Sequence, residues 1–155
     1  ENSSFQIHPG QKVGLTGANG SGKSSLFSLI LQQLHADTGD CFYPENWVVA
    51  HVAQELADSQ QAAIEFVLDG DVELRTIQRA IQHAEETHDG IQIATSHTQL
   101  DNINGYSANA RASQLLSGLG LSASDETQPI NTFSGGWQMR LNLAKALMCR
   151  SDLLL

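Results

Sequence analysis

The stretch Gly17-Ala-Asn-Gly-Ser-Gly-Lys-Ser-Ser25 constrains this chain more than any other. It fits the pattern G-x-x-x-x-G-K-[ST] through Gly17, Gly22, Lys23 and Ser24. Before it, Lys12–Thr16 reads as a buried strand. After it, Leu26, Phe27, Leu29, Ile30, Leu31 and Leu34 recur as on a helix from Lys23 to about His35. A glycine-rich turn between strand and helix has a chemical use. Glycines let the backbone turn tightly, so that successive N–H groups converge. The helix start adds roughly half a positive charge. A polyphosphate fits such a cradle. Lys23 would neutralise the β- and γ-phosphates, and the Ser24 hydroxyl would hold Mg²⁺. On this reading Gly17, Ala18, Asn19, Gly20, Ser21, Gly22, Lys23, Ser24 and Ser25 bind the phosphates of a nucleotide. The competing reading is an ordinary turn, but glycine is only about 7% of average sequence, so the full pattern between strand and helix is rare by chance. An Asn/Thr-Lys-x-Asp element that would select guanine is missing, which favours ATP.

The rest of the chain reads as the frame for such a loop. Ser3–Ile7, Cys41–Tyr43 and Trp47–Val52 read as strands, and Pro9-Gly10 as a turn. Residues 60–119 are mostly helical by period, with Leu74, Ile77, Ile81 and Ala84 on one face. A helix from Ser107 should end near Gly118 or Gly120, Pro129 lies in a polar loop, and a last helix runs from Gly135 to about Cys149. Leu153–Leu155 reads as a strand. This order predicts an α/β core with an inserted helical subdomain.

The 155 residues suit one domain, and at 41% apolar content disorder is not the default. No apolar run reaches the ~18 residues of a membrane span, so direct membrane insertion is not expected. The net charge of −9 argues against a general nucleic-acid face. Arg75, Arg79 and Arg111 are the candidates for local RNA contact, with plain surface as the alternative. Cys41 and Cys149 read as reduced thiols of a cytoplasmic protein. His83 and His88, five residues apart on one helix, point away from each other, which argues against a zinc site.

A second motif, Phe133-Ser-Gly-Gly-Trp-Gln-Met-Arg140, opens the last helix with a hydroxyl and two glycines. Such a helix start is another potential anion site. Trp137 reads as packing within that helix rather than as a base contact. Arg140 reads equally as a partner contact or as the cap of a local carboxylate.

Together these stretches resemble an ATP-binding cassette (ABC) ATPase. Gly17–Ser25 looks like its Walker A loop, His51–Glu55 like its Q-loop with Gln54, Phe133–Arg140 like its signature, and Ser151–Leu155 like the start of its Walker B strand. Trp137 stands where the family more usually has Gln. The detail is most similar to the soluble F subfamily, and the likeness spans nearly the whole chain, more loosely over 56–130. It implies a P-loop NTPase fold with antiparallel β pieces and an inserted helical subdomain. Residues 1–55 would be the P-loop core, 56–133 the helical subdomain or arm, and 134–155 the signature helix and Walker B start.

The resemblance also implies roles. Lys23 and Gln54 would be the catalytic positions within the chain, with Ser24 and Gln54 at Mg²⁺. Ser134, Gly135, Gly136 and Trp137 would face ATP held by a second ABC cassette, so that two cassettes close head to tail as a nucleotide-gated clamp. The F subfamily acts on the ribosome, which makes rRNA an expected partner. The alternative is the ATPase subunit of an ABC membrane transporter, and a small-molecule kinase is more remote. The Walker B Asp, the general-base Glu and the switch His would follow Leu155, and an adenine-stacking aromatic would precede Glu1. Residues 1–155 alone are therefore expected not to turn over ATP.

Overall fold

The computed structural model describes residues 4–53 and 59–155. The chain divides into two compact units, Glu1–Glu45 and Asn46–Leu155.

The first unit is built around helix α1, Lys23–Ile30. The helix stops at Ile30 although the apolar pattern runs to Leu34. Gln32 takes a left-handed conformation, φ 58°. The N–H groups of Gln33 and Leu34 then both donate to the Ser28 carbonyl, at 2.8 and 3.2 Å. Tyr43 closes the end further by donating its hydroxyl to the Ile30 carbonyl at 2.8 Å. Lys12–Thr16, Cys41–Tyr43 and the described part of Ser3–Ile7 are not strands. Val13 is 61% and Phe42 89% exposed. A strand is defined by a partner ladder, and among the described residues these segments have none.

The second unit contains strands β1, Val49–Ala50, and β2, Leu153–Leu154, paired parallel with Val49 opposite Leu153. The ladder extends through Val52 N–H to the Leu155 carbonyl at 2.9 Å. Asp152 fixes its start, accepting the Val48 N–H at 2.8 Å. The expected antiparallel β pieces are not seen as strands among the described residues: the paired strands are parallel, and antiparallel contact is an isolated bridge, Ala62 to Pro129. The reason is topological. The helical block lies between β1 and β2 in sequence, and a long crossover joins parallel neighbours.

That block comprises α2 (Ala63–Leu68), α3 (Val72–Glu86), α4 (Gly90–Asn102), α5 (Ala108–Gly118) and α6 (Gly135–Met148). Aspartates start two of these helices. Asp71 accepts the Leu74 N–H at 3.1 Å, and Asp89 accepts those of Ile91 and Gln92 at 3.1 and 3.0 Å. Val67, Leu74, Leu116, Ile130, Leu141 and Met148 form a continuous core. On α3, Leu74, Ile77 and Ala84 are buried and Ile81 packs half-buried against them, as the period implies. Gly70 permits a close approach: a Cβ there would lie 1.9 Å from the Lys145 carbonyl oxygen, so the turn between α2 and α3 meets α6 backbone to backbone.

A buried carboxylate ties this block together. Asp71 is only 3% exposed and accepts from Arg111 Nη2 at 2.7 Å, with Arg150 Nε at 3.5 Å. Arg150 also donates to the Ile103 carbonyl. One aspartate thus links α3, α5 and the segment between α6 and β2, while its other oxygen caps α3.

Candidate nucleotide-binding site

The phosphate loop is shaped by its own backbone. Gly20 and Gly22 hold φ of 79° and 92°, which side chains with a Cβ rarely adopt. A Cβ on Gly17 would come within 2.6 Å of Ser21 Oγ. Ser21 N–H donates to the Ala18 carbonyl at 3.2 Å, closing the turn. The bond from Leu26 N–H to the Gly22 carbonyl, 2.9 Å, begins the helical ladder. The amides of Lys23, Ser24 and Ser25 therefore precede it and are available to a ligand. No side chain caps α1, and no acid stands in its first turn, so its positive end is uncompensated.

Lys23 folds its ammonium back onto this loop, donating to the carbonyls of Gly17 at 2.8 Å and Ala18 at 2.9 Å. The side chain thereby sits on the cradle it would help fill with phosphate. Ser24 and Ser25 are exposed. A loop of free amides, one cation and an exposed hydroxyl fits a polyphosphate with its magnesium: the amides and Lys23 face phosphate oxygens, and Ser24 offers a metal ligand. Gln54 lies outside the described residues. Just before it, the Ala53 carbonyl accepts Asn142 Nδ2 of α6 at 2.9 Å.

The second motif also presents an open helix start. Ser134 is the N-cap residue of α6, with φ −64° and ψ 158°. Its carbonyl accepts the N–H groups of both Trp137 and Gln138 at 2.9 Å. Its hydroxyl makes no capping bond, although Ser at this position ordinarily does. Ser134, Gly135 and Gly136 are exposed. A cleft of about 530 Å³ adjoins them, lined by Asp125, Gln128, Thr132, Phe133, Ser134 and Trp137. Hydrogen bonds from the Ser122 hydroxyl and backbone hold the Asp125 carboxyl below its ordinary pKa.

Trp137 is half-buried against the core, and the Arg140 guanidinium lies 4.5 Å from its ring centroid. Arg140 also donates to the Leu119 carbonyl at 2.9 Å. Packing is therefore what Trp137 does in this structure, and Arg140 caps a carbonyl rather than a carboxylate.

Two of the three candidate RNA-contact arginines are engaged internally. Arg75 pairs with Glu65 at 2.6 Å and Asp69 at 2.8 Å. Burial works against its charge, but those carboxylates outweigh burial and raise its pKa above the ordinary arginine value. Arg111 pairs with Asp71, whereas Arg79 is exposed and donates to the Arg75 carbonyl at 3.2 Å.

Gln138, Asp71, Arg150 and Asp152 carry no role in the sequence motifs. For Asp71 the signal was present: Gly-Asp directly before an apolar helical period marks an N-cap. For Arg150 no local pattern distinguishes the residue, since its partners lie far off in sequence.

Comparison with known proteins bears on these positions. The family described as ABC transporter matches residues 1–155. "Probable ATP-binding protein YheS" of Escherichia coli K12 is 50% identical over 155 residues, covering all of this chain and 24% of that protein. "ATP-binding cassette sub-family F member 3" of Mus musculus is 35% identical over 154 residues, covering 94% of this chain and 21% of that protein. "Protein GCN20" of Saccharomyces cerevisiae is 31% identical over 180 residues, covering 99% and 23%. The chain thus spans about a quarter of the length of these curated relatives.

Proposed function

We propose, from the premise that this chain belongs to the ABC transporter family and has F-type relatives, that it is part of an ATP-driven clamp acting on the ribosome. The observation that carries the reading is the pair of uncapped helix starts. α1 presents free amides and Lys23 beside a glycine cradle, and α6 presents free amides and the unengaged Ser134 hydroxyl. Each start favours negative charge.

In the intact protein, Gly17–Ser25 wraps the phosphates of one ATP, Ser24 and Gln54 serve its Mg²⁺, and Lys23 and Gln54 stand nearest the reacting phosphate. Magnesium, when bound, supplies neutralisation of phosphate charge. Ser134, Gly135 and Gly136 approach the γ-phosphate of ATP held by a second cassette, with Trp137 supporting them from the core. Binding then brings two cassettes together only while that phosphate is present, so cleavage releases the clamp. Residues 1–55, 56–133 and 134–155 form its phosphate-loop, helical and signature parts. The protein would work in the cytoplasm; no helix among the described residues is long and apolar enough to cross a membrane. With Arg75 and Arg111 paired to carboxylates, rRNA contact falls to other residues than these two.

The test is sedimentation of the full-length protein with ribosomes. Association is expected with a non-hydrolysable ATP analogue, not with ADP, and is lost in Lys23→Ala. Failure to co-sediment under the analogue overturns the ribosome reading. Co-purification with a membrane protein instead would assign the chain to a transporter.

A further inference from the structure

Ser134 lacks the usual side-chain cap, so something else must hold its backbone in place. The only buried side-chain oxygen or nitrogen without a partner among the described residues belongs to a residue one turn along the same helix: Gln138 Oε1. Gln138 is 8% exposed on α6. Its Nε2 donates to two carbonyls, those of Ile130 and Phe133, both at 3.2 Å. These carbonyls bracket the 3-10 turn Ile130–Thr132 and the residue directly before Ser134. The amide cannot be reversed, because Oε1 would then face two acceptors.

The turn is braced on its other side. Ile130 N–H donates to the Gln61 carbonyl at 3.0 Å, and Thr132 Oγ1 donates to the Pro129 carbonyl at 2.6 Å. Phe133 N–H closes on the Ile130 carbonyl at 3.1 Å. The Phe133 carbonyl belongs to the peptide that enters Ser134, and Gln138 Nε2 is the side-chain donor that holds it. Among buried groups, a carboxamide with one end doubly bonded and the other unpaired is a costly choice. An apolar side chain of the same length would avoid the unpaired oxygen, but it would leave the Phe133 peptide without that donor.

We infer that Gln138 is the positioning residue for Ser134: its carboxamide fixes the turn from which the Ser134 hydroxyl and the first amides of α6 are aimed. The arrangement leaves that hydroxyl free because the side chain of Gln138, one turn along the helix, does the holding. This inference rests on the proposed clamp, since it concerns how that clamp's signature face is presented.

The experiment compares Gln138→Met with Ser134→Ala in the full-length protein, in three readouts: thermal midpoint, ATP affinity of the isolated protein, and association driven by a non-hydrolysable ATP analogue. Gln138→Met removes the unpaired oxygen and keeps the volume. It should melt within about 2 °C of the parent and bind ATP unchanged, yet lose about tenfold or more in analogue-driven association. Stability moving with function would reveal a merely structural role, and unchanged association would overturn the inference outright. Should Gln138→Met fold poorly, Gln138→Glu decides. Its protonated form can donate to one carbonyl, so association should recover as pH is lowered, and a flat pH profile counts against the proposal. If Ser134→Ala leaves association intact, the clamp reading itself fails. If Ser134→Ala abolishes association and Gln138→Met does not, only the present inference fails.

Discussion

The two units organise their chemistry in opposite ways. In Glu1–Glu45 the functional geometry is local: among the described residues, the hydrogen bonds that shape the phosphate loop join residues no farther apart than Gly17 and Lys23. Only Ile30 of its described residues is buried. In Asn46–Leu155 the helix start at Ser134 adds support from afar: beside Gln138, four residues on, the preceding turn is tied through Ile130 N–H to the Gln61 carbonyl, and α6 packs on the core. A binding loop can be written into nine consecutive residues, whereas the second helix start needs a folded domain behind it. Perturbing the phosphate loop should therefore move binding with little change in stability, while perturbing the buried core of the second unit should move stability first.

The largest effect expected is at Lys23. Lys23→Ala removes the cation that would face phosphate. Charge-assisted hydrogen bonds contribute about 1.5–3 kcal/mol each, so losing two should weaken ATP binding roughly a hundredfold or more. Calorimetric titration of the full-length protein measures this. The urea midpoint should barely move, because among the described residues Lys23 bonds only to carbonyls of its own exposed loop. A large fall in midpoint would show that the loop is structurally coupled to a core, and the contrast between the units would fail.

Asp71→Ala should invert that pattern. It removes the α3 cap, about 1 kcal/mol, and the partner of two arginines, about 1.5–3 kcal/mol for a charge-assisted bond. Arg111 and Arg150 keep 32% and 41% of their side-chain surface exposed, so they can rehydrate, and the total should stay near the lower end of the sum. Denaturant unfolding should show the loss, with ATP affinity changed far less than about tenfold. Asp71→Asn, which keeps a capping oxygen, should lie between parent and alanine. If affinity falls in step with stability, the phosphate loop depends on the helical block, and the division into local and long-range construction is wrong.

The same division explains what the sequence made legible. The loop could be read from Gly17, Gly22, Lys23 and Ser24 because its geometry is a property of adjacent backbone. The face of α3 could be read because Leu74, Ile77 and Ala84 recur with the helical period. The end of α1 could not, since Leu34 continues the apolar pattern after Gln32 has turned left-handed. Strands at Lys12–Thr16 and Cys41–Tyr43 were expected from composition, but alternation specifies a face and says nothing about a partner. The parallel pairing of β1 with β2 joins residues separated by the whole helical block, the Asp71–Arg150 contact spans α3 to α6, and no local pattern encodes either. Gln138 was hidden for a different reason: it looks like one more polar residue of a signature helix until its two carbonyl partners are seen.

The smallest expected effect concerns the two thiols. Cys41 is exposed in the first unit, whereas Cys149 is partly buried where α6 ends in the second. Burial raises the Cys149 pKa, and the nearby Asp71 charge adds to the rise. The thiolate is the reactive form, so at about pH 8 a maleimide should label Cys41 promptly and Cys149 slowly. The sign for stability follows from the same shift. The folded state holds its proton longer than the unfolded one, so this contribution is present below the ordinary thiol pKa and fades as pH rises through the folded value. Mass spectrometry of timed reactions separates the sites. Raising urea through the unfolding of the second unit should bring the Cys149 rate up to that of Cys41, and Asp71→Asn should accelerate Cys149 slightly by removing the neighbouring negative charge. Equal labelling of both thiols in native buffer would mean that the end of α6 opens without unfolding, which would place it with the local, exposed construction of the phosphate loop instead of the packed unit assigned to it.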